Sequence, residues 1–206
     1  MPTLPNLNHC LKLAAIAIIV PLSGCASAQP FIFSLSSPDL LNGRFDTRFV
    51  ANGFGCTGGN ISPELVWSHA PAGTKSLALT VHDPDAPTGS GFWHWAVYNL
   101  PPTLKGLPRG AGNSFATLPA PAVAGINDFH DTGVTGSNSL YGGPCPPAGD
   151  APHRYVFTLY AIAVPDVHAA ASIPKTGTPA LHSFVLGRGL GEKLLGKASF
   201  TATYGR

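Results

Sequence analysis

The chain has 206 residues, carries 12 Lys and Arg against 10 Asp and Glu, and is 44% hydrophobic with only 11% of its residues charged. That apolar content can build a core and excludes a disordered chain, while the near-neutral balance and the lack of any basic run exclude a nucleic-acid footprint. The 24 Gly and 21 Pro are spread throughout and interrupt long helices almost everywhere, so short strands and turns are expected.

The first two dozen residues read as a targeting segment. Lys12 precedes the apolar run LAAIAIIVPL (13–22), which is shorter than the ~20 residues of a membrane-spanning helix and has the build of a secretory signal. Its end has two readings. LSGC (22–25) is a lipobox, which makes Cys25 the lipidated first residue of a membrane-anchored lipoprotein; ASA (26–28) before Gln29 suits ordinary cleavage after Ala28. The expected division is a signal over 1–24 and a single domain over 29–206, exported to the periplasm. Removing Lys12 leaves one more basic than acidic residue. Cys10 leaves with the signal and Cys25 is lipidated or removed, so Cys56 and Cys145 remain. Two buried thiols are the plainer alternative, but disulfides persist in an oxidising compartment and a bridge is expected.

In chain order, KSLALTVHD (75–83) alternates Leu77, Leu79 and Val81 on one face, and FWHWAVYNL (92–100) sets Trp93, Trp95 and Val97 against His94, Ala96 and Tyr98. Residues 101–125 and 130–140 read as long surface loops. RYVFTLYAIAV (154–164) and ASFTATYG (198–205) are strand-like, and TPALHSFVLGRGLGEKLL (178–195) is the one good helical candidate, weakened or split by Gly187, Gly189 and Gly191. Several strands between Gly/Pro turns predict an all-β sandwich or barrel.

Two segments concentrate chemistry. HDPDAPTGSGFWHW (82–95) places Asp83 and Asp85 at the end of one strand and His94 near the start of the next. YGGPCPPAGDAPHRY (141–155) is a rigid loop leading to His153 and Tyr155, which share a strand face. If these turns converge, a carboxylate beside an imidazole fixes its tautomer and favours its protonated form, making the other ring nitrogen a donor towards an anion. A tyrosine hydroxyl and backbone N–H groups could complete the cradle. Two rivals use the same residues. His82, Asp83, Asp85 and His94 offer N and O ligands for a metal, though at no established spacing. Ser90 with His94 and Asp83 would make a hydrolytic set, but no G-x-S-x-G elbow is present; GNSFA (112–116) lacks its final Gly. Arg154 reads as a structural ion-pair former, and His69, His168 and His182 as surface or packing residues.

NISPELVW (60–67), PAGTKSLALTVHDPDAPTGSGFWHWAVYNLP (71–101), NDF (127–129) and YGGPCPPAGDAPHRYVFTLYAI (141–162) resemble the phosphatidylethanolamine-binding protein (PEBP) family, in particular its bacterial Raf-kinase-inhibitor-like branch. The resemblance implies a Greek-key sandwich of two antiparallel sheets with a few short helices. It also implies a small anion pocket to which Asp83, Asp85, His94, His153 and Tyr155 contribute, with Tyr141, Pro147 and the backbone at Cys145 along its lining loop. It further implies a Cys56–Cys145 bridge, as in exported relatives. The function it implies is non-enzymatic binding, without metal or cofactor, of a small anion or phosphorylated head group; the alternative is an inhibitor that presents this pocket surface to a protease or kinase domain. This chain departs from the pattern in its longer 130–140 loop, with His130 where Gly is common, and in a reduced C-terminal helix.

Overall fold

The computed structural model describes residues 1, 31–130, 132 and 139–206. Apart from Met1, the expected signal, Cys25, the alternative cleavage site after Ala28 and most of the 130–140 loop lie outside the described residues.

The longest apolar runs lie side by side in a five-stranded antiparallel sheet. Its order is β10 (Leu194–Tyr204), β9 (His153–Ile162), β5 (Ser76–Asp83), β6 (Phe92–Leu100) and β8 (Val123–Ala124). β5, β6 and β8 follow one another and β9 returns beside β5, which is a Greek-key order. One face of this sheet packs on a three-stranded antiparallel sheet of β1 (Ser34–Ser36), β4 (Leu65–Ser68) and β7 (Gly106–Leu107); β2 (Asn52–Gly53) and β3 (Cys56–Thr57) form a small separate hairpin. Between the sheets, Leu79, Val81, Trp95 and Phe157 meet Leu65 and Trp67. Fully burying one such side chain is worth about 1.5–3 kcal/mol.

The opposite face is also covered. Ala78, Ala96, Tyr98 and Ile162 pack under Val167, Val185 and Leu186, the first from helix α1 (Val167–Ala171) and the others from the turn that follows helix α2 (Pro179–Phe184). Cover on both faces explains why β5 is buried along nearly its whole length. The helix expected over 178–195 is split, as its glycines suggest. Thr178 caps α2 by accepting from the Leu181 N–H, with Pro179 in the first turn. After Phe184 the chain widens into a π turn over Val185–Gly189 and a 3₁₀ turn over Gly191–Lys193, and Leu194 already belongs to β10. The outer edge of β10 is covered near its end, where the Thr203 N–H donates to Gly43 O (2.8 Å) and the Phe45 N–H donates to Thr203 O (3.2 Å).

Cys56 is bonded to Cys145, 89 residues away. A cross-link closing so long a loop removes much of the unfolded chain's freedom, for a ceiling of about 4–5 kcal/mol in the chain-entropy account. Cys56→Ser/Cys145→Ser should therefore unfold at lower urea, with a loss of up to about that amount; an unchanged midpoint would show the cross-link to be stabilising nothing.

A second expectation comes from the layer beneath the helices. His182 stacks on Tyr98 with ring centroids 4.7 Å apart, and His168 stands edge-on to both. Both nitrogens of His168 and Nε2 of His182 are buried without a well-formed hydrogen bond, and Asp166 Oδ1 lies 3.6 Å from His168 Nδ1. Burial lowers the pKa of both histidines; the neighbouring His182 and Lys175 lower that of His168 further against Asp166, and the carbonyls around His182, Thr178 first, oppose its shift. With folded pKa values below the ordinary 6.5, the unfolded chain binds more protons as the pH falls past that value. Stability should be full above it and fall on acidification, and His168→Asn/His182→Asn should make the fall shallower, the remainder belonging to buried His94. A wild-type unfolding free energy that is level from neutral to mildly acidic pH would refute this.

Candidate functional site

Strand pairing explains how His94 reaches the site. Val81 lies opposite Trp95, yet His82 lies opposite Trp93, so His94 is the extra residue of a β-bulge. The bulge removes one step of the alternation read from FWHWAVYNL. Trp93 and Trp95 therefore do not share a face: Trp95 enters the inter-sheet core, while Trp93 stacks on His82 at 4.1 Å. His94 turns instead towards Tyr155, with ring centroids 5.0 Å apart. The NDF segment holds this distortion. The Trp93 N–H donates to the Asp128 carboxylate (2.8 Å) and the Asp128 N–H donates back to Trp93 O (3.0 Å), while the Asn127 amide donates to His94 O (3.3 Å).

Asp83, at the end of β5, is buried together with His153, at the start of β9. Asp83 Oδ1 accepts from the N–H groups of Asp85 (2.9 Å) and Ala86 (3.1 Å), and Oδ2 accepts from His153 Nδ1 at 2.7 Å. The carboxylate thus fixes the proton of His153 on Nδ1 and directs Nε2 towards other partners, of which Asp150 Oδ2 lies 3.5 Å away. Tyr155 is buried, and its hydroxyl lies beside Asp83 without making a well-formed hydrogen bond in the protein. Burial, and then the Asp83 charge, raise its pKa far above the ordinary value, so it remains an O–H donor. His94 Nδ1 donates to Gly142 O (2.9 Å), since a carbonyl can only accept. Burial pushes the His94 pKa down to about 4, against the smaller opposing effects of that carbonyl and of Asp83. His94 is therefore a neutral imidazole at physiological pH. Gly142 permits this contact: a Cβ there would come within 2.1 Å of the Phe129 ring.

These groups share one open cavity of about 270 Å³. Asp83, His94, His153 and Tyr155 line it, as do Cys145 and Pro147 from the loop at 142–147. Asp85 and Tyr141, expected beside them, do not. Asp85 accepts from the Arg154 N–H (2.8 Å), Nε (2.9 Å) and Nη2 (2.6 Å), and the guanidinium hydrogen bond holds its carboxyl down to about 2. The ion pair expected of Arg154 is thus present, and it occupies Asp85. Tyr141 is buried, with its hydroxyl donating to Phe49 O (2.9 Å) and its ring edge-on to Trp95; its place is in the core.

The rival readings need other convergences. His82 Nε2 donates to Ser90 O (3.1 Å) and its ring lies on Trp93, so His82, Asp83, Asp85 and His94 face three different environments. No group of three or more His, Cys, Asp or Glu suited to a metal occurs among the described residues. Asp83 serves His153 rather than His94, so the set Ser90–His94–Asp83 is not assembled. The sequence gives less notice of the apolar walls, Phe54, Phe92 and Phe129, and of Arg206 at the cavity. Phe129 stands in the NDF segment and was within reach; Arg206 carried no signal.

Comparison with known proteins gives the same grouping. Residues 41–205 match the family described as phosphatidylethanolamine-binding protein. The UPF0098 protein YbcL of Escherichia coli (strain K12) is 51% identical over 138 residues, covering 66% of this chain and 72% of that one. A Mycobacterium tuberculosis protein, LppC, named provisionally as a lipoprotein, is 33% identical over 174 residues, covering 75% and 79% of the two chains. The crystal structure of E. coli YbcL, described as a new member of the mammalian PEBP family, superposes with a TM-score of 0.72 at 40% identity, covering 84% of this chain and 98% of that one. With its antiparallel sheets and short helices, the chain belongs to the phosphatidylethanolamine-binding protein family.

Proposed function

We propose that this protein is an exported, non-enzymatic binding protein whose cavity receives a small anion or phosphorylated head group, and that occupancy modulates a partner or reports the ligand. One observation carries the reading: His153, braced by Asp83, and the buried hydroxyl of Tyr155, which makes no well-formed hydrogen bond in the protein, line the same cavity. A phosphate oxygen there gains a charge-assisted contact to His153 when Nε2 is protonated, and an O–H donor from Tyr155. His94 adds shape and a fixed dipole rather than charge, because burial keeps it neutral. The aromatic walls set the polar groups against apolar surface, which strengthens each polar contact beside them.

Inorganic phosphate, then phosphoethanolamine, titrated into isotopically labelled protein should move the imidazole signals of His153 and His94. His153→Ala and Tyr155→Phe should each weaken binding by about tenfold or more, in keeping with 1.5–3 kcal/mol for a hydrogen bond to a charged group. Asp85→Asn should leave binding within about twofold, since its carboxylate faces Arg154 and is largely solvent-screened. Unmoved imidazoles at millimolar ligand would dispose of the reading.

Export rests on the 1–24 signal and the lipobox at Cys25, supported by a relative named provisionally as a lipoprotein. Metabolic labelling with a radioactive fatty acid should mark the wild type and not Cys25→Ala. Equal labelling of both, or none in the wild type, would remove the anchor and leave cleavage after Ala28.

A further inference from the structure

The charged and titratable side chains lining the cavity are Asp83, His94, His153, Tyr155 and Arg206, and Tyr155 stays an uncharged phenol. Any proton that His153 takes is matched by the carboxylate on its Nδ1, and Asp150 lies 3.5 Å from its Nε2. His94 is neutral. These floor groups therefore carry no net positive charge, and an anion placed there has donors but no surplus cation. Arg154 cannot supply one, because Asp85 engages it.

Arg206 can. Among the described residues no carboxylate pairs with its guanidinium; instead, backbone carbonyls hold it in place. Nε donates to Pro146 O (2.8 Å), Nη1 to Gly55 O (3.1 Å) and Nη2 to Phe54 O (3.2 Å). A guanidinium has five N–H donors, so one on each terminal nitrogen is left over for an anion, at a position where Arg206 is exposed and borders this cavity and two neighbouring ones. Gly55 lets the group come this close: a Cβ would stand 3.3 Å from Nη1, and the residue has φ +82. Gly55 and Pro146 each neighbour one half of the Cys56–Cys145 bridge, so the cross-link ties together the two loops that hold Arg206. The side chain is ordered before a ligand arrives, and less rotamer entropy is lost on binding.

We infer that Arg206 is the specificity-determining cation of the cavity, clamped by the two bridged loops, and that it makes the cavity prefer a phosphate-type dianion to a carboxylate monoanion. This rests on the anion-binding reading above and goes beyond it by naming the class selected and the residue that selects it.

The test titrates methyl phosphate and acetate separately, at about pH 6.5, where a phosphate monoester is already mostly the dianion, into wild type, Arg206→Gln and Arg206→Lys. The readout is the His153 imidazole signal, with a thermal melt of each protein alongside. Arg206→Gln should weaken methyl phosphate by about tenfold or more and acetate by only about threefold, because a doubly charged ligand loses more when the cation is removed. Arg206→Lys, which keeps the charge without the guanidinium, should recover part of the methyl phosphate affinity. Equal losses for both anions, with Arg206→Lys no better than Arg206→Gln, would reduce Arg206 to a structural clamp and overturn the inference. So would wild-type affinity for methyl phosphate in Arg206→Gln, and in that case anion binding itself would stand. A wild type that binds neither anion would bring down the binding reading and this inference with it.

Discussion

The site depends on a buried carboxylate that has to be satisfied. Taking Asp83 out of water costs several kcal/mol unless hydrogen bonds replace its hydration, and three do: two backbone N–H groups of the turn that follows and the imidazole of His153. The first two fold the DPDAP turn back on the end of β5. The third links β5 to β9 at the level of the cavity and sets the tautomer of the ring. One charge thereby shapes the turn, joins two strands of the sheet and prepares a ligand group. Such a carboxylate is hard to replace, since an apolar side chain would strand the turn N–H groups and an uncharged amide would give the imidazole a weaker partner.

Around it the protein separates shape from charge. His94, the aromatic walls and the disulfide-bonded loop define the cavity, whereas charge is confined to the Asp83–His153 pair and Arg206. The bulge at His94 belongs to the first group. Without it His94 would share a face with Ala96 and Tyr98, under the helices, and the floor would lose a ring. The NDF segment supports the bulge because the distorted strand leaves the Trp93 N–H without a strand partner, and Asp128 supplies the acceptor.

Much of this could be read in the sequence. Alternation in 75–83 and 154–164 located the central strands, the glycines of 187–191 split the helix, and the motifs placed Asp83, His94, His153, Tyr155, Cys145 and Pro147 around one space. What escaped was whatever depends on register. A one-residue bulge leaves no mark in a pattern of period two, so Trp93 and Trp95 read as neighbours on one face. Asp85 reads as equivalent to Asp83 because they are two apart, yet the turn begins between them and sends Asp85 to Arg154. Tyr141 carries the same hydroxyl as Tyr155, and only packing against Trp95 and Phe49 distinguishes a core phenol from a cavity one. Arg206 lies far along the chain from every motif, and its place follows from carbonyls that any sequence would possess.

The sheet also ends in an unusual way. β8 closes one side with two residues, but β10 on the other is 11 residues long, and a long outer strand offers its backbone to any passing chain. Here the segment around Gly43 and Phe45 occupies the far end of that backbone at Thr203. The register also shifts between Leu194 and Gly196 at the near end, and Lys197 sets a charge beside the exposed stretch. Shield, irregularity and charge lie in series along a single strand and leave little uninterrupted ladder for a second molecule to extend, so the sheet stops where the molecule does.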